Sequence, residues 1–131
     1  PNPLGPDMNA SFATSLLASW MDDLESRTKW MALVYSDPMT APDPLAVEII
    51  GTVYARQLGA WVRTSPTLLT LDQAIVWLNL VPGTVVAGVA GFDAEFNGNR
   101  LFADMLPQPQ TYSAGGNYAL ASGQFVLGLD L

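Results

Sequence analysis

The chain has 131 residues and contains neither histidine nor cysteine. These two absences exclude Ser-His-Asp and Cys-His catalysis, zinc sites built on histidine or thiolate, and disulfide bonds. Half of the residues are apolar and only 13% are charged. This composition is typical of one globular domain with weakly polar surface for neighbouring subunits to cover, although a monomer with a small core explains it equally well.

The charge balance argues against two classes of partner. Twelve acids against five bases give a formal net charge of −7. Phosphate backbones and anionic membranes are engaged by clustered lysine and arginine. The bases of this chain are scattered singly: Arg27, Lys29, Arg56, Arg63 and Arg100. We therefore predict neither a nucleic-acid partner nor a membrane partner.

The first eight residues are predicted to form a proline-rich arm. Three prolines within residues 1–6 remove hydrogen-bond donors and fix φ, so this segment is not helical. It also lacks the basic and apolar regions of a signal peptide. We expect either a loose arm or an extended strap over a neighbouring protein, in which case the contacts are made by Pro1, Pro3, Leu4 and Pro6.

Residues 9–131 are predicted to be a single domain that begins with an amphipathic helix. Asp7 or Asn9 is a suitable N-cap. Apolar side chains then recur at the spacing of one helical face: Phe12, Leu16, Leu17, Trp20, Met21 and Leu24. We expect a helix of about sixteen residues whose apolar face packs on the core.

Everything after Arg27 has the pattern of strands and turns. Strands are predicted over residues 29–36, 52–62 with a break near Gly59, 67–71, 74–80, 85–91, 101–106, 118–121 and 124–129. Loops are predicted at 37–44, 97–98, 107–110 and 115–116. Seven or eight short strands spaced about ten residues apart predict a mainly β fold, a jelly-roll-like β-sandwich that follows the helix.

One uncharged run is long enough to be tested as a membrane span. It extends over the twenty residues 73–92, which is the length that a transmembrane helix needs. Asn79, Pro82-Gly83 and Gly88 interrupt it. Two buried strands joined by a Pro-Gly turn are therefore the better interpretation.

Few residues offer chemistry of their own. Lys29, the only lysine, precedes an apolar strand and is predicted to be a solvated strand end. Asp93 and Glu95 are the nearest approach to a catalytic carboxylate pair, and with Asn97 and Asn99 they superficially resemble a calcium loop. A tight turn at Asn97-Gly98 explains this segment better. We predict no catalytic residue, no cofactor and no metal.

The four tryptophans lie within apolar segments. They are Trp20, Trp30, Trp61 and Trp77. Large aromatic side chains in such positions are core residues or anchors of an interface. Trp61 is our candidate for a partner contact.

Several short motifs occur together in a distinctive order. They are Tyr54-Ala55-Arg56-Gln57, Gly91-Phe92-Asp93-Ala94, Gly98-Asn99-Arg100-Leu101-Phe102 and Leu127-Gly128-Leu129-Asp130. In their order and spacing the chain resembles a family of small virion proteins of tailed bacteriophages, common in phages of actinobacteria. The resemblance covers roughly residues 10–131. The chain departs from the family pattern at Arg100, at the Gln-Pro-Gln segment 108–110 and in the arm 1–6.

The resemblance implies a short helix followed by a β-sandwich, and a structural role in the virion without enzymatic activity. We expect a capsid decoration or minor capsid subunit that binds the major capsid protein, assembles in the host cytoplasm and forms homo-oligomers. A minor tail protein is the alternative, or a tail-tip module that binds a host glycan in a groove bordered by Trp61, Tyr112 or Tyr118. A hydrolase that uses Asp93 and Glu95 is the third hypothesis.

Overall fold

The computed structural model describes residues 13–51 and 53–128. The arm residues Pro1, Pro3, Leu4 and Pro6, and the predicted caps Asp7 and Asn9, lie outside the described residues. The helical elements are α1 (Thr14–Ser26) and a 3₁₀ helix (Pro44–Val47). The strands are β1 (Trp30–Val34), β2 (Gln57–Leu58), β3 (Trp61–Ser65), β4 (Leu68–Leu71), β5 (Ile75–Leu80), β6 (Thr84–Phe92), β7 (Arg100–Tyr112), β8 (Gly116–Leu120) and β9 (Val126–Gly128).

The strands form three antiparallel sheets with the orders β2-β1-β6-β7, β3-β4-β9 and β5-β8. Side chains from all three sheets meet in one apolar cluster, so the four-stranded sheet packs against the other two. The predicted mainly β, sandwich-like fold with one N-terminal helix is therefore confirmed. The described residues contain nine strands, one more than the eight predicted at most. The difference arises because the predicted strand 52–62 divides into β2 and β3.

Strands β1 and β6 are buried on both faces. Met31 and Leu33 point into the main cluster, whereas Ala32 and Val34 pack in a second cluster with Val47 of the 3₁₀ helix. The segment after β1 therefore folds back to cover the outer face of the four-stranded sheet. Burial on both faces explains why these strands have continuous apolar sequences instead of an alternating pattern.

The two smaller sheets form one interrupted ribbon. Chain continuity joins β4 to β5 and β8 to β9, and β4 pairs with β9 while β5 pairs with β8. Between the paired segments, the amide of Leu71 donates to the carbonyl of Phe125 at 2.9 Å. The run 73–92 does contain two strands joined by a Pro-Gly turn, as predicted, but β5 and β6 enter different sheets. No helix of the described residues is long and apolar enough to span a membrane.

Helix α1 extends from Thr14 to Ser26 in the described part of the chain. Ala13 has an extended backbone (φ −61°, ψ 142°) and immediately precedes the helix, which is thirteen residues long. Ala13 provides no side-chain cap, and the predicted start at Asp7 or Asn9 lies outside the described residues. Met21 is fully buried, and Arg63 of β3 donates to the carbonyl of Ala18 and pairs with Asp22. The helix therefore contacts the three-stranded sheet, but only part of the predicted apolar face is buried, since Leu16 and Trp20 are 40% and 38% exposed.

The predicted loop 107–110 lies inside β7. Val86 pairs with Gln110 and Gly88 pairs with Met105, so one β6 residue faces the four residues 106–109 of β7. This large bulge contains Pro107 and Pro109, which cannot donate a ladder hydrogen bond. The prolines therefore interrupt the pairing, as expected, but they do not end the strand.

Gly59 marks the point where the chain leaves one sheet for another. β2 pairs with β1, whereas β3 pairs with β4. The predicted break at Gly59 is confirmed. A Cβ atom on Gly59 would lie 2.6 Å from the indole nitrogen of Trp61, so only glycine lets the chain turn this close to that ring.

Lys29 is buried and is not the solvated strand end predicted from the sequence. Its Nζ donates to the carbonyls of Leu24 at 2.6 Å, Glu25 at 3.3 Å and Arg27 at 2.5 Å. These carbonyls lie at the end of α1, where backbone acceptors have no partner within the helix. Burial lowers the pKa of Lys29, and the nearby Glu25 carboxylate opposes that shift.

We expect Lys29→Met to reduce the free energy of unfolding by about 1–3 kcal/mol, because buried carbonyls lose their donor. Because the pKa is lowered in the folded state, the unfolded chain binds more protons at alkaline pH. The wild-type advantage should therefore grow as pH rises towards 10.5. Urea unfolding between pH 7 and 10.5 measures both effects. Arg27→Met is the control, since Arg27 is exposed; an equal loss in both variants would contradict this role.

Candidate functional site

The motif residue Arg56 lies at the centre of a buried polar cluster. Its Nη2 donates to Oε1 of Glu48 at 2.8 Å, and its Nε donates to Oε2 at 3.0 Å. The side chains of Arg56 and Glu48 are only 4% and 15% exposed. The guanidinium carbon also lies 4.0 Å from the ring centre of Phe92. The charge is therefore removed from water but fully compensated by a bidentate partner and an aromatic face.

Tyr54 fills a gap in the edge of the four-stranded sheet. On that edge the carbonyls of Lys29 and Leu33 accept hydrogen bonds from the amides of Gly59 and Ile49. Between these two contacts, the amide of Leu33 donates to the Tyr54 hydroxyl at 3.1 Å. The hydroxyl in turn donates to Oε2 of Glu48 at 2.6 Å. A side-chain oxygen thus replaces the missing strand carbonyl and joins the sheet to the Arg56 cluster.

Arg56 also holds the connection between β6 and β7, which we call the 93–99 loop. Its Nη1 donates to the carbonyl of Ala94 at 2.8 Å and to the carbonyl of Asn97 at 2.7 Å. Across the loop, Oδ1 of Asp93 accepts from the backbone amide of Asn99 at 2.7 Å, and Oδ2 accepts from its side-chain amide at 3.0 Å. These bonds give the loop one defined shape.

Two glycines of the motifs are required by close packing. A Cβ atom on Gly91 would lie 2.2 Å from the ring of Phe102, which therefore packs directly on the glycine backbone. Gly98 has φ +77°, a conformation that L side chains rarely adopt, and a Cβ atom there would lie 2.6 Å from the carboxylate of Asp93. Both positions are explained by structure alone.

The electrostatics of the cluster agree with a structural role. Burial, reinforced by the Glu48 carboxylate, raises the pKa of Tyr54 far above its usual range, so its hydroxyl remains a donor. The hydrogen bonds from the Asn99 backbone and side chain lower the pKa of Asp93, so its carboxylate remains charged. The Asp93 carboxylate is committed to the loop, which supports the turn interpretation. No cluster of acidic residues suited to holding a metal ion occurs among the described residues.

Two open grooves lie beside the cluster, separated by a ridge formed by residues 48–50. The Tyr35 groove has a volume of about 580 Å³ and lies between this ridge and residues 81–85. The Phe96 groove has a volume of about 460 Å³ and lies between the ridge and residues 95–97. Both grooves include Glu48, Ile49 and Ile50 in their walls. Neither groove was predicted from the sequence.

Trp61, the partner-contact candidate, is half-buried and packs with the core. Its ring lies edge-on to Phe102 and Phe125, with centroid distances of 6.0 and 5.9 Å. Trp61 also lines a small hollow of about 260 Å³ beside Lys29. Its role in binding a partner stays a prediction.

Of the three aromatic residues predicted to border a glycan groove, Trp61 and Tyr112 are half-buried and Tyr118 is buried. Tyr118 is buried with Trp77 in the core, where burial raises the pKa of its hydroxyl. Tyr112 is half-buried, and its hydroxyl hydrogen-bonds Oε1 of Gln110 at 3.0 Å. The expectation of an exposed Tyr118 is wrong because its strand position faces inward, opposite Trp77.

A scan of the sequence against protein-family models finds no match, and a search of curated proteins finds none either.

The first prediction for this site concerns the buried ion pair. We expect Arg56→Ala to reduce the free energy of unfolding by about 3–5 kcal/mol, because it leaves the Glu48 carboxylate buried without a partner. Arg56→Lys should recover little, since one ammonium cannot reach the carboxylate and both loop carbonyls. Urea unfolding measures these changes. Arg27→Ala is the matched control: its exposed pair with Asp23 should contribute at most about 1 kcal/mol. Equal losses in the two alanine variants would refute the central role of Arg56.

The second prediction concerns the sheet edge. Tyr54→Phe should cost about 1–3 kcal/mol, because the amide of Leu33 and the carboxylate of Glu48 both lose a partner. The Leu33 amide should also exchange with deuterium faster than in the wild-type chain. Tyr35→Phe is the matched control, since its exposed hydroxyl donates only to the carbonyl of Ala46. An unchanged exchange rate at Leu33 would show that Tyr54 does not close the edge.

Proposed function

We propose that this chain is a non-enzymatic structural subunit of a tailed-bacteriophage virion, and that it binds the major capsid protein as a decoration or minor capsid subunit. The proposal rests on the roles that residues of the short motifs play in the structure. Arg56, Phe92 and Phe102 pack or bond one segment of the sandwich to another, and Asp93 fixes the shape of the 93–99 loop. These motif residues make packing contacts and hydrogen bonds within the fold and do not surround a reactive group. Such roles support a structural protein.

The surface of the described residues supports the same proposal. Large apolar side chains are exposed on several strands and loops, including Leu58, Val76, Leu78 and Val126. Single exposed apolar residues are common in monomers. Here they accompany a low charge content, so contact with neighbouring proteins would remove apolar area from water at little cost in desolvated charge.

The decisive measurement is a cryo-EM map of the purified particle encoded by the parent genome. We expect density that fits residues 13–51 and 53–128 at symmetry-related positions between major capsid subunits. Density confined to the tail would replace the capsid assignment with the tail alternative. Absence of the chain from the particle, checked by mass spectrometry of the same sample, would overturn the proposal.

A further inference from the structure

Asn97 and Gly98 form the only Asn-Gly pair in the sequence, and both residues are exposed on the 93–99 loop. An asparagine that precedes glycine is prone to lose its side-chain amide, because glycine has no side chain to shield its backbone nitrogen. That nitrogen bonds to Cγ of the asparagine, and its proton leaves with the amide group as ammonia. Water then opens the resulting succinimide ring to aspartate or isoaspartate, so the only co-reactant is water.

The folded loop keeps the two reacting atoms apart. Asn97 has φ +55°, and a residue other than glycine with this φ has ψ of roughly +30° to +60°. The Gly98 nitrogen then lies on the opposite side of the Asn97 Cα–C bond from the side chain. Closure of the succinimide ring therefore requires about half a turn around that bond.

Arg56 opposes this rotation. The peptide group is planar, so the carbonyl oxygen of Asn97 must move together with the Gly98 nitrogen. This oxygen accepts from Nη1 of Arg56 at 2.7 Å, and the same Nη1 donates to the carbonyl of Ala94 at 2.8 Å. The guanidinium is itself fixed by the Glu48 carboxylate. The reaction at Asn97 therefore proceeds only while the loop is locally detached from Arg56.

We propose that Asn97 is a deamidation site whose rate is set by Arg56, and that isoaspartate formation changes the 93–99 loop irreversibly. In isoaspartate the peptide bond to Gly98 starts from Cγ, so the main chain is lengthened and the carbonyl that Arg56 held is displaced. The new carboxylate also adds negative charge to a loop that already contains Asp93 and Glu95. This modification does not depend on the proposed virion function.

Peptide mapping by mass spectrometry tests the site. The full chain is incubated at mildly alkaline pH, which favours removal of the amide proton, either folded or in concentrated guanidinium chloride. We expect Asn97 to react at least tenfold more slowly in the folded chain. Asn79 is the internal control for the effect of glycine, since it is also exposed with φ +56° but precedes Leu80. Equal rates at Asn97 in the folded and unfolded chains, or equal rates at Asn97 and Asn79 in guanidinium chloride, would overturn the proposal.

Arg56→Lys tests the control by Arg56. This substitution should free the Asn97 carbonyl and accelerate deamidation of the folded chain at least tenfold, with circular dichroism used to verify folding. Lys29→Met is the matched control, because Lys29 is also buried but bonds to the end of α1. An unchanged rate in Arg56→Lys, or equal acceleration in both variants, would contradict control by Arg56.

A measurement on the wild-type chain separates local detachment from global unfolding without any substitution. Global unfolding depends steeply on denaturant because it exposes a large surface, whereas detachment of one loop exposes little. We expect the rate at Asn97 to stay nearly constant at guanidinium chloride concentrations well below the unfolding transition. A rate that rises in parallel with the global unfolding constant would overturn the proposed role of Arg56.

The irreversible change is tested on the product. Ion-exchange chromatography separates the deamidated chains, because each has gained a negative charge. We expect the isoaspartate form to unfold at a lower urea concentration than the unmodified chain. Asn97→Asp is the matched control, since it has the same charge and a main chain of normal length. An isoaspartate form as stable as Asn97→Asp would show that the loop still returns to Arg56, and would refute the irreversible change.

Discussion

The rest of the structure depends on one compensated charge, the guanidinium of Arg56. A buried guanidinium is tolerated only when its donors are paired, and its planar shape determines where the acceptors must lie. Glu48 supplies them from the edge of the four-stranded sheet, and the carbonyls of Ala94 and Asn97 supply them from the 93–99 loop. One side chain thus sets the position of three segments that are distant in sequence.

This arrangement changes how the short sequence motifs are understood. Short patterns such as Tyr-Ala-Arg-Gln usually suggest a ligand or a reaction, because polar side chains are costly to bury. Here the hydroxyl of Tyr54 completes a sheet edge and Arg56 holds a loop, while Gly91 leaves room for the ring of Phe102. These polar side chains bond backbone groups that lack a partner in the sheet, such as the amide of Leu33 and the carbonyls of Ala94 and Asn97. The large apolar side chains that remain exposed, such as Leu58, Val76 and Val126, lie outside the cluster.

The fold class could be predicted from local patterns, whereas the polar cluster could not. The apolar runs of β1, β5 and β6 and the turn at Asn97-Gly98 are visible in the sequence because burial and turn geometry act over a few residues. The pairing of Glu48 with Arg56 has no such signal, since an irregular segment joins the two. Lys29 was assigned to solvent because its acceptors, the last carbonyls of α1, are backbone groups that no side-chain pattern reveals.

The pairing of β1 with β6 has a consequence for how the chain folds during synthesis. Met31 pairs with Gly91, sixty positions later in the sequence, so the apolar strand β1 lacks its longest pairing until the ribosome has passed β6. Before then its ladder partners are the two-residue strand β2 and Glu48. At about 5–20 residues per second, that delay lasts at least several seconds. Long-range antiparallel pairing is also slow in itself. Until then, the apolar side chains of β1 are incompletely covered and open to aggregation.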